Sequence, residues 1–175
     1  MTSLVPVYPN PNLPIDQQCD EVALAIGGWC EAANQIAKVG YVGVDAVQCV
    51  ILNRVRKRNL SVTQIVTESH VVRGRRVWQF SFWQHDDPRT PICEPLDPNY
   101  TRLLRLQTEG KDASLVYRAC WILGVARLNG LLTIDPTHGA LNYYNPAVCS
   151  PKWGRGNARW REFAVYGDHV FGIAT

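Results

Sequence analysis

The chain reads as an α+β protein in which helices dominate the first two thirds and short strands close the last third. Three observations predict this. Apolar residues recur at helical spacing from Val22, from Val44 and again from Ala113. After Gly130 the pattern changes to short apolar and aromatic runs separated by turn residues. A hydrophobic content of 46% against 19% charged residues, over 175 residues, permits a sizeable core and excludes general disorder. No run of about 18 apolar residues occurs, so stable membrane insertion is not expected.

Pro6, Pro9, Pro11 and Pro14 make residues 1–15 an extended arm, and residues 16–175 form the domain proper. Asp16 or Asp20 is expected to cap the first helix, which runs through Val22-Ala23-Leu24-Ala25-Ile26 to Trp29 and Ala32. Gly27-Gly28 in its middle implies a close backbone approach or a kink. A second helix spans about Val44 to Arg58, with Val47, Val50, Ile51, Leu52 and Val55 as its apolar face. Its basic end suits the negative end of the helix dipole. A short helix follows near Thr63 to Thr67, and residues 69–98 read as irregular. The third long helix runs from about Ala113 to Leu128 and is apolar nearly all round, as a central helix would be. Residues 140–146 and 164–171 read as short strands, with a glycine-rich basic loop from Lys152 to Arg161 between them.

Eighteen Lys and Arg against fifteen Asp and Glu give a net charge of +3. This suits an anionic partner such as a bacterial wall and falls short of a nucleic-acid signature. The run Arg54-Val55-Arg56-Lys57-Arg58 reads as a solvated helix end. Six cysteines contain no CxxC pair, which argues against a zinc ribbon. Cys30, Cys49 and Cys120 are expected as free buried thiols, while Cys19, Cys93 and Cys149 lie in polar surroundings and are able to pair in an oxidising compartment. Met1 to Pro6 lacks the features of a secretory signal, so synthesis and accumulation in a cytoplasm are expected.

Among the fifteen acidic residues, Glu31 stands out because its neighbours Ile26, Trp29, Cys30, Ala32 and Ala33 are apolar. A desolvated carboxyl holds its proton more tightly and can serve as a general acid near neutral pH. Six Trp and seven Tyr supply flat faces for sugar rings. Trp78, Trp83, Tyr143, Tyr144, Trp153 and Trp160 share their segments with the amides Gln79, Asn142, Asn145 and Asn157, the composition of a glycan groove. Tyr144 is expected to be core, since strand neighbours face opposite sides. His138, Cys149 and His169 offer an unspecific zinc set, and Cys30 with a histidine a nucleophile pair.

The order of motifs adds to this. Cys30-Glu31-Ala32, Val50-Ile51-Leu52-Asn53-Arg54-Val55, Gln79-Phe80-Ser81-Phe82-Trp83, the alanine-containing helix from Ala119 to Gly130, Tyr143-Tyr144-Asn145-Pro146 with Trp153, and Gly167-Asp168-His169-Val170-Phe171 stand in one sequence. Together they resemble the SleB-type cell-wall hydrolases, over nearly the whole chain from Asp20. Two departures are Glu31-Ala32-Ala33-Asn34, where the family often has Glu-Ala-Arg-Gly, and Gly172, where it has Tyr. The resemblance implies a lysozyme-like fold and cleavage of peptidoglycan between N-acetylmuramic acid and N-acetylglucosamine. A single glutamate, mapping onto Glu31, would be the catalyst of a lytic transglycosylase. Gln79, Ser81, Tyr143, Asn145, Trp153 and His169 are the expected substrate-binding residues. No metal or other cofactor is expected. The partner is the glycan strand, without nucleic acid, and the protein is expected to be a monomer.

A hydrolysing muramidase would need a second carboxylate, for which Asp45, Asp86, Asp87 and Asp168 are candidates. A zinc amidase using His138 or His169 and a non-catalytic wall-binding protein are the rival classes. The resemblance further suggests a phage endolysin released from the host cytoplasm to the wall, or a virion-associated hydrolase.

Overall fold

A computed structural model describes residues 5–10, 13, 15–80 and 111–175. It is α+β, as expected. The helices are α1 (Asp20–Ala32), α2 (Ile36–Val39), α3 (Val42–Arg58), α4 (Val62–Val66) and α5 (Lys111–Leu128). A two-stranded hairpin, β1 (Ser69–Val72) and β2 (Arg75–Trp78), lies between α4 and α5 in the chain. β3 (Asn142–Tyr144), β4 (Trp160–Tyr166) and β5 (His169–Ala174) form an antiparallel sheet in the order β3-β5-β4.

The core is built around α1. Val22 to Gly28 are all buried, with α3 on one side and α5 on another. The adjacent glycines mark a close approach of helices: a Cβ on Gly27 would meet Ile51 Cδ1 at 2.7 Å, and one on Gly28 would meet Val44 Cγ1 at 3.0 Å. Gln48 occupies the space left by Gly28 and Gly124. Its side chain is fully buried and donates to Cys120 O at 2.8 Å, tying α3 to α5. A buried amide without such a partner would be destabilising.

Several boundaries differ from expectation. α1 starts at Asp20 with no side-chain cap; Asp20 instead accepts from the Thr63 backbone N–H at 3.3 Å, at the start of α4. α4 supplies its own capping box, Ser61 with Gln64. The segment 69–78, read as irregular, is the β1–β2 hairpin, whose turn places both Arg73 (φ 51°) and Gly74 (φ 77°) in the left-handed region. Positive φ at both central residues matches the right-handed twist of paired strands. In the arm, Tyr8 stacks on Tyr117 of α5 at 5.2 Å and Val7 O accepts from the Tyr117 hydroxyl. Cys19, Cys30, Cys49, Cys120 and Cys149 are free thiols, and Cys93 lies outside the described residues.

The sheet carries one device that explains a departure noted in the sequence. Gly172 pairs with Asn142 on one side and Glu162 on the other. A Cβ there would lie 2.2 Å from Arg161 O and 2.7 Å from the Trp160 ring. Trp160 therefore fills the space that a larger residue at 172 would take. Gly172→Ala is expected to cost about 3 kcal/mol, because the clash is partly with backbone that cannot move without opening β4–β5. Chemical denaturation of the two proteins measures this directly; an unchanged midpoint would contradict it.

Candidate active site

The site forms where the end of α1, the last turns of α3 and strand β3 meet. Three anchors bring them together. After Ala32 the chain tightens into a 3-10 turn, Ala33–Gln35, and Gln35 is buried. Its Oε1 accepts from Asp168 N at 3.0 Å, in the β4–β5 turn, while Lys38 pairs with Asp168 at 2.5 Å. On α3, Asn53 Nδ2 donates to Asp135 Oδ2 at 2.9 Å and to Ala140 O at 3.1 Å. Asp135 also accepts from Thr137 N at 2.7 Å and Gly139 N at 2.8 Å. This closes the loop that delivers β3. Arg54 Nε then donates to Leu141 O at 2.6 Å, one residue before β3.

Glu31 lies on the last turn of α1 and is half-buried. The Tyr143 hydroxyl lies within reach of its carboxyl, and the Arg54 guanidinium is close enough for their charges to interact. The apolar surround expected from the sequence is thus only part of the picture. The C-terminal end of a helix disfavours a carboxylate, whereas a phenol donor and a guanidinium favour one. Glu31 is held between these opposing influences.

The neighbours respond to the same geometry. Burial pushes the Tyr143 phenol well above its ordinary value, Glu31 adds to that, and Arg54 opposes it. Tyr143 therefore stays protonated and remains a donor. Burial pulls Arg54 below its ordinary value, while Tyr143, Glu68 and Glu31 push the other way. Burial, then the Glu31 charge, push the Cys30 thiol well up, so it is neutral and a poor nucleophile. The Arg54 guanidinium sits 5.4 Å from the Phe80 ring centroid, and Nη1 is buried with no hydrogen-bond partner among the described residues.

Arg54 is the residue that the sequence reading missed. In the sequence it reads as part of a solvated basic end. Val47, Val50 and Ile51 are buried on α3, and Arg54 follows at the next helical step on the same stripe. That phase was the available signal.

The expected substrate-binding residues separate into groups. Tyr143 is at the site. Gln79 is exposed at the exit of β2, where its N–H donates to Glu68 O at 2.9 Å, and Phe80 follows directly against Arg54. Ser81 lies outside the described residues. His169 is 7% exposed, packs edge-on against Tyr143 at 5.3 Å, and is held neutral by burial, against the opposing charge of Asp168. It supports Tyr143 from behind. The Asn145 side chain is used locally, accepting from Ala147 N at 2.9 Å in the turn after β3.

Trp153 is not brought to Glu31. Tyr143 and Tyr144 are adjacent in β3 and point to opposite sheet faces. Tyr143 packs with His169 and Phe171 on the helix side, whereas Tyr144, Trp153 and Trp160 form a three-ring cluster on the other face. Tyr144 is buried, as a core residue should be.

The carboxylates weighed as second catalytic groups are engaged elsewhere. Asp45 holds Arg127 through two hydrogen bonds of 2.8 and 2.6 Å, and Asp168 holds Lys38. Asp86 and Asp87 lie outside the described residues. Among the described residues no group of three His, Cys, Asp or Glu side chains is placed to hold a metal ion. His138 and Cys149 are exposed, and His169 is buried behind Tyr143.

Comparison with known proteins finds no curated protein and no solved structure that matches the chain. One family does match, described as Cell Wall Hydrolase, over residues 39–172. The span takes in α3 with Asn53 and Arg54, the β1–β2 hairpin, α5 and nearly all of the three-stranded sheet with Tyr143, and it begins downstream of Glu31. Because it covers well over half of the sequence, the chain belongs to the cell wall hydrolase family, whose substrate is peptidoglycan.

Proposed function

We propose that the protein cleaves the glycan strand of peptidoglycan at the bond between N-acetylmuramic acid and N-acetylglucosamine, as a lytic transglycosylase of the endolysin type, with Glu31 as the single acid and base. The observation that carries this reading is the placement of the Tyr143 phenol and the Arg54 guanidinium against the Glu31 carboxyl.

Protonated Glu31 donates to the glycosidic oxygen, which leaves with the N-acetylglucosamine. Positive charge grows at the muramyl anomeric carbon. The muramyl C6 hydroxyl attacks that carbon, and its proton returns to the Glu31 carboxylate. One bond to the anomeric carbon breaks, one forms, and no water is consumed. In the interval Glu31 is ionised. The Tyr143 hydroxyl and the Arg54 charge are placed to stabilise it at that stage and to fix its orientation. The engagement of Asp45 and Asp168 in ion pairs agrees with a single-carboxylate cycle. Gln79, at the exit of the hairpin, is the proposed contact to the sugar N-acetyl groups and hydroxyls, together with Ser81, two positions later in the sequence.

Tyr143→Phe removes the donor but keeps the ring that packs on Phe171. It is expected to lower turnover by about 10- to 100-fold, the worth of one hydrogen bond to a charged group. Steady-state kinetics on purified sacculi check this; full activity would mean that the bond does not matter to catalysis. Reducing-end labelling of the digests tests the reaction class. Transglycosylation solubilises glycan without generating reducing ends, whereas a muramidase would generate one for every bond cut.

A further inference from the structure

The loop between β3 and β4 is built with more care than a connection requires. Asn157 Nδ2 donates to Lys152 O at 2.6 Å, Asn157 Oδ1 accepts from Arg159 N at 2.8 Å, and Gly154 N donates to Pro151 O at 2.8 Å. Arg155 N donates to the Tyr144 hydroxyl at 2.8 Å, and the Arg155 side chain is pinned to Glu162 by two bonds. Gly154 is needed here because a Cβ would meet the Tyr144 ring at 2.9 Å. This rigid frame displays Trp153, 36% exposed, with one side on Tyr144 and Trp160. Lys152 and Arg159 flank it, exposed and without an ion-pair partner among the described residues. No acidic residue occurs in the sequence between Asp135 and Glu162.

We infer that this face, turned away from Glu31, is a second glycan-binding surface that holds a stem-bearing peptidoglycan strand other than the one being cut. The surface complements the chemistry of such a strand. An aromatic face held rigid at low entropic cost suits the C–H face of a sugar. The two cations suit the carboxylates of the peptide stems, and Glu162, the acid that frames the loop, is already paired with Arg155. Asn157 bridges the backbones of the two residues, so the points from which their side chains extend are held in place. Such a surface would keep the enzyme on an insoluble wall between cuts. The inference rests on the family's substrate and not on the role of Glu31.

The test uses the full chain carrying Glu31→Gln, which leaves sacculi undegraded, and measures sedimentation with purified stem-bearing sacculi. Adding K152E and R159E, which touch no core contact, is expected to lower the affinity by about tenfold or more, and Trp153→Ala by a similar factor. The charge effect should disappear on sacculi stripped of their stems. In the otherwise native enzyme, K152E with R159E should slow sacculus solubilisation and leave cleavage of a short soluble glycan unchanged within about twofold. Unaltered sedimentation would overturn the inference. So would an equal loss on soluble and insoluble substrates, which would place the loop in the catalytic cleft. Both readouts for the charge variants stand even if Trp153→Ala fails to fold. Failure of Glu31→Gln to abolish cleavage would count against the catalytic reading alone.

Discussion

Glu31→Gln is expected to fold normally and to lose wall lysis by about a thousandfold or more. The amide keeps the shape of the side chain, so the end of α1 and the turn to Gln35 should be undisturbed. It cannot deliver a proton to the leaving oxygen, and general acid catalysis alone contributes about 10²- to 10⁴-fold. Loss of the acid also removes the base that completes the cycle, since both roles fall on one side chain. Turbidity loss of a wall suspension, with thermal melting as the folding control, gives the result in one assay series. A well-folded variant that lyses at the native rate would remove Glu31 from the mechanism.

Arg54→Ala is expected to produce the next largest effect, a loss of about 100-fold in turnover. Two causes act together. The positive charge near Glu31 disappears, and the Arg54 bond to Leu141 O that seats β3 is lost, so Tyr143 is less firmly placed. Arg54→Lys separates them. Lysine keeps the charge but not the fixed fork that reaches Leu141 while stacking on Phe80. It should recover part of the activity, and its pH–rate profile should lie closer to that of the native enzyme than the alanine variant's does. If Arg54→Ala lowers the melting temperature and leaves turnover unchanged, Arg54 is a structural residue only.

Much of the helical part was legible in the sequence because burial there follows a period. α3 and α5 lie within two residues of the expected bounds, and the paired glycines of α1 mark the close approach that they implied. The β1–β2 hairpin was not read. Val71 and Val72 are exposed, so the ribbon lacks the alternation by which a half-buried strand is recognised. Its local signal was Gly74 between β-branched residues. At the site, Glu31 and Tyr143 were identified and do meet. Arg54 was hidden in a basic run whose other members, Arg56, Lys57 and Arg58, are exposed. Trp153 and His169 show the limit of composition: aromatic and polar types were counted, but strand register sets the face of His169, and packing of the β3–β4 loop on Tyr144 and Trp160 sets that of Trp153. The family match supports the wall substrate, and the physical argument for Glu31 rests on the contacts with Tyr143 and Arg54.

Cleavage of a sugar–sugar bond through Glu31 leaves its mark on the products. Mass spectrometry of the products released from purified sacculi, by the native protein and by Glu31→Gln in parallel, tests it most directly. Fragments ending in 1,6-anhydro-muramyl residues are expected from the native protein and none from the variant. Released peptide stems with intact glycan chains, or anhydro ends from both proteins alike, would contradict it.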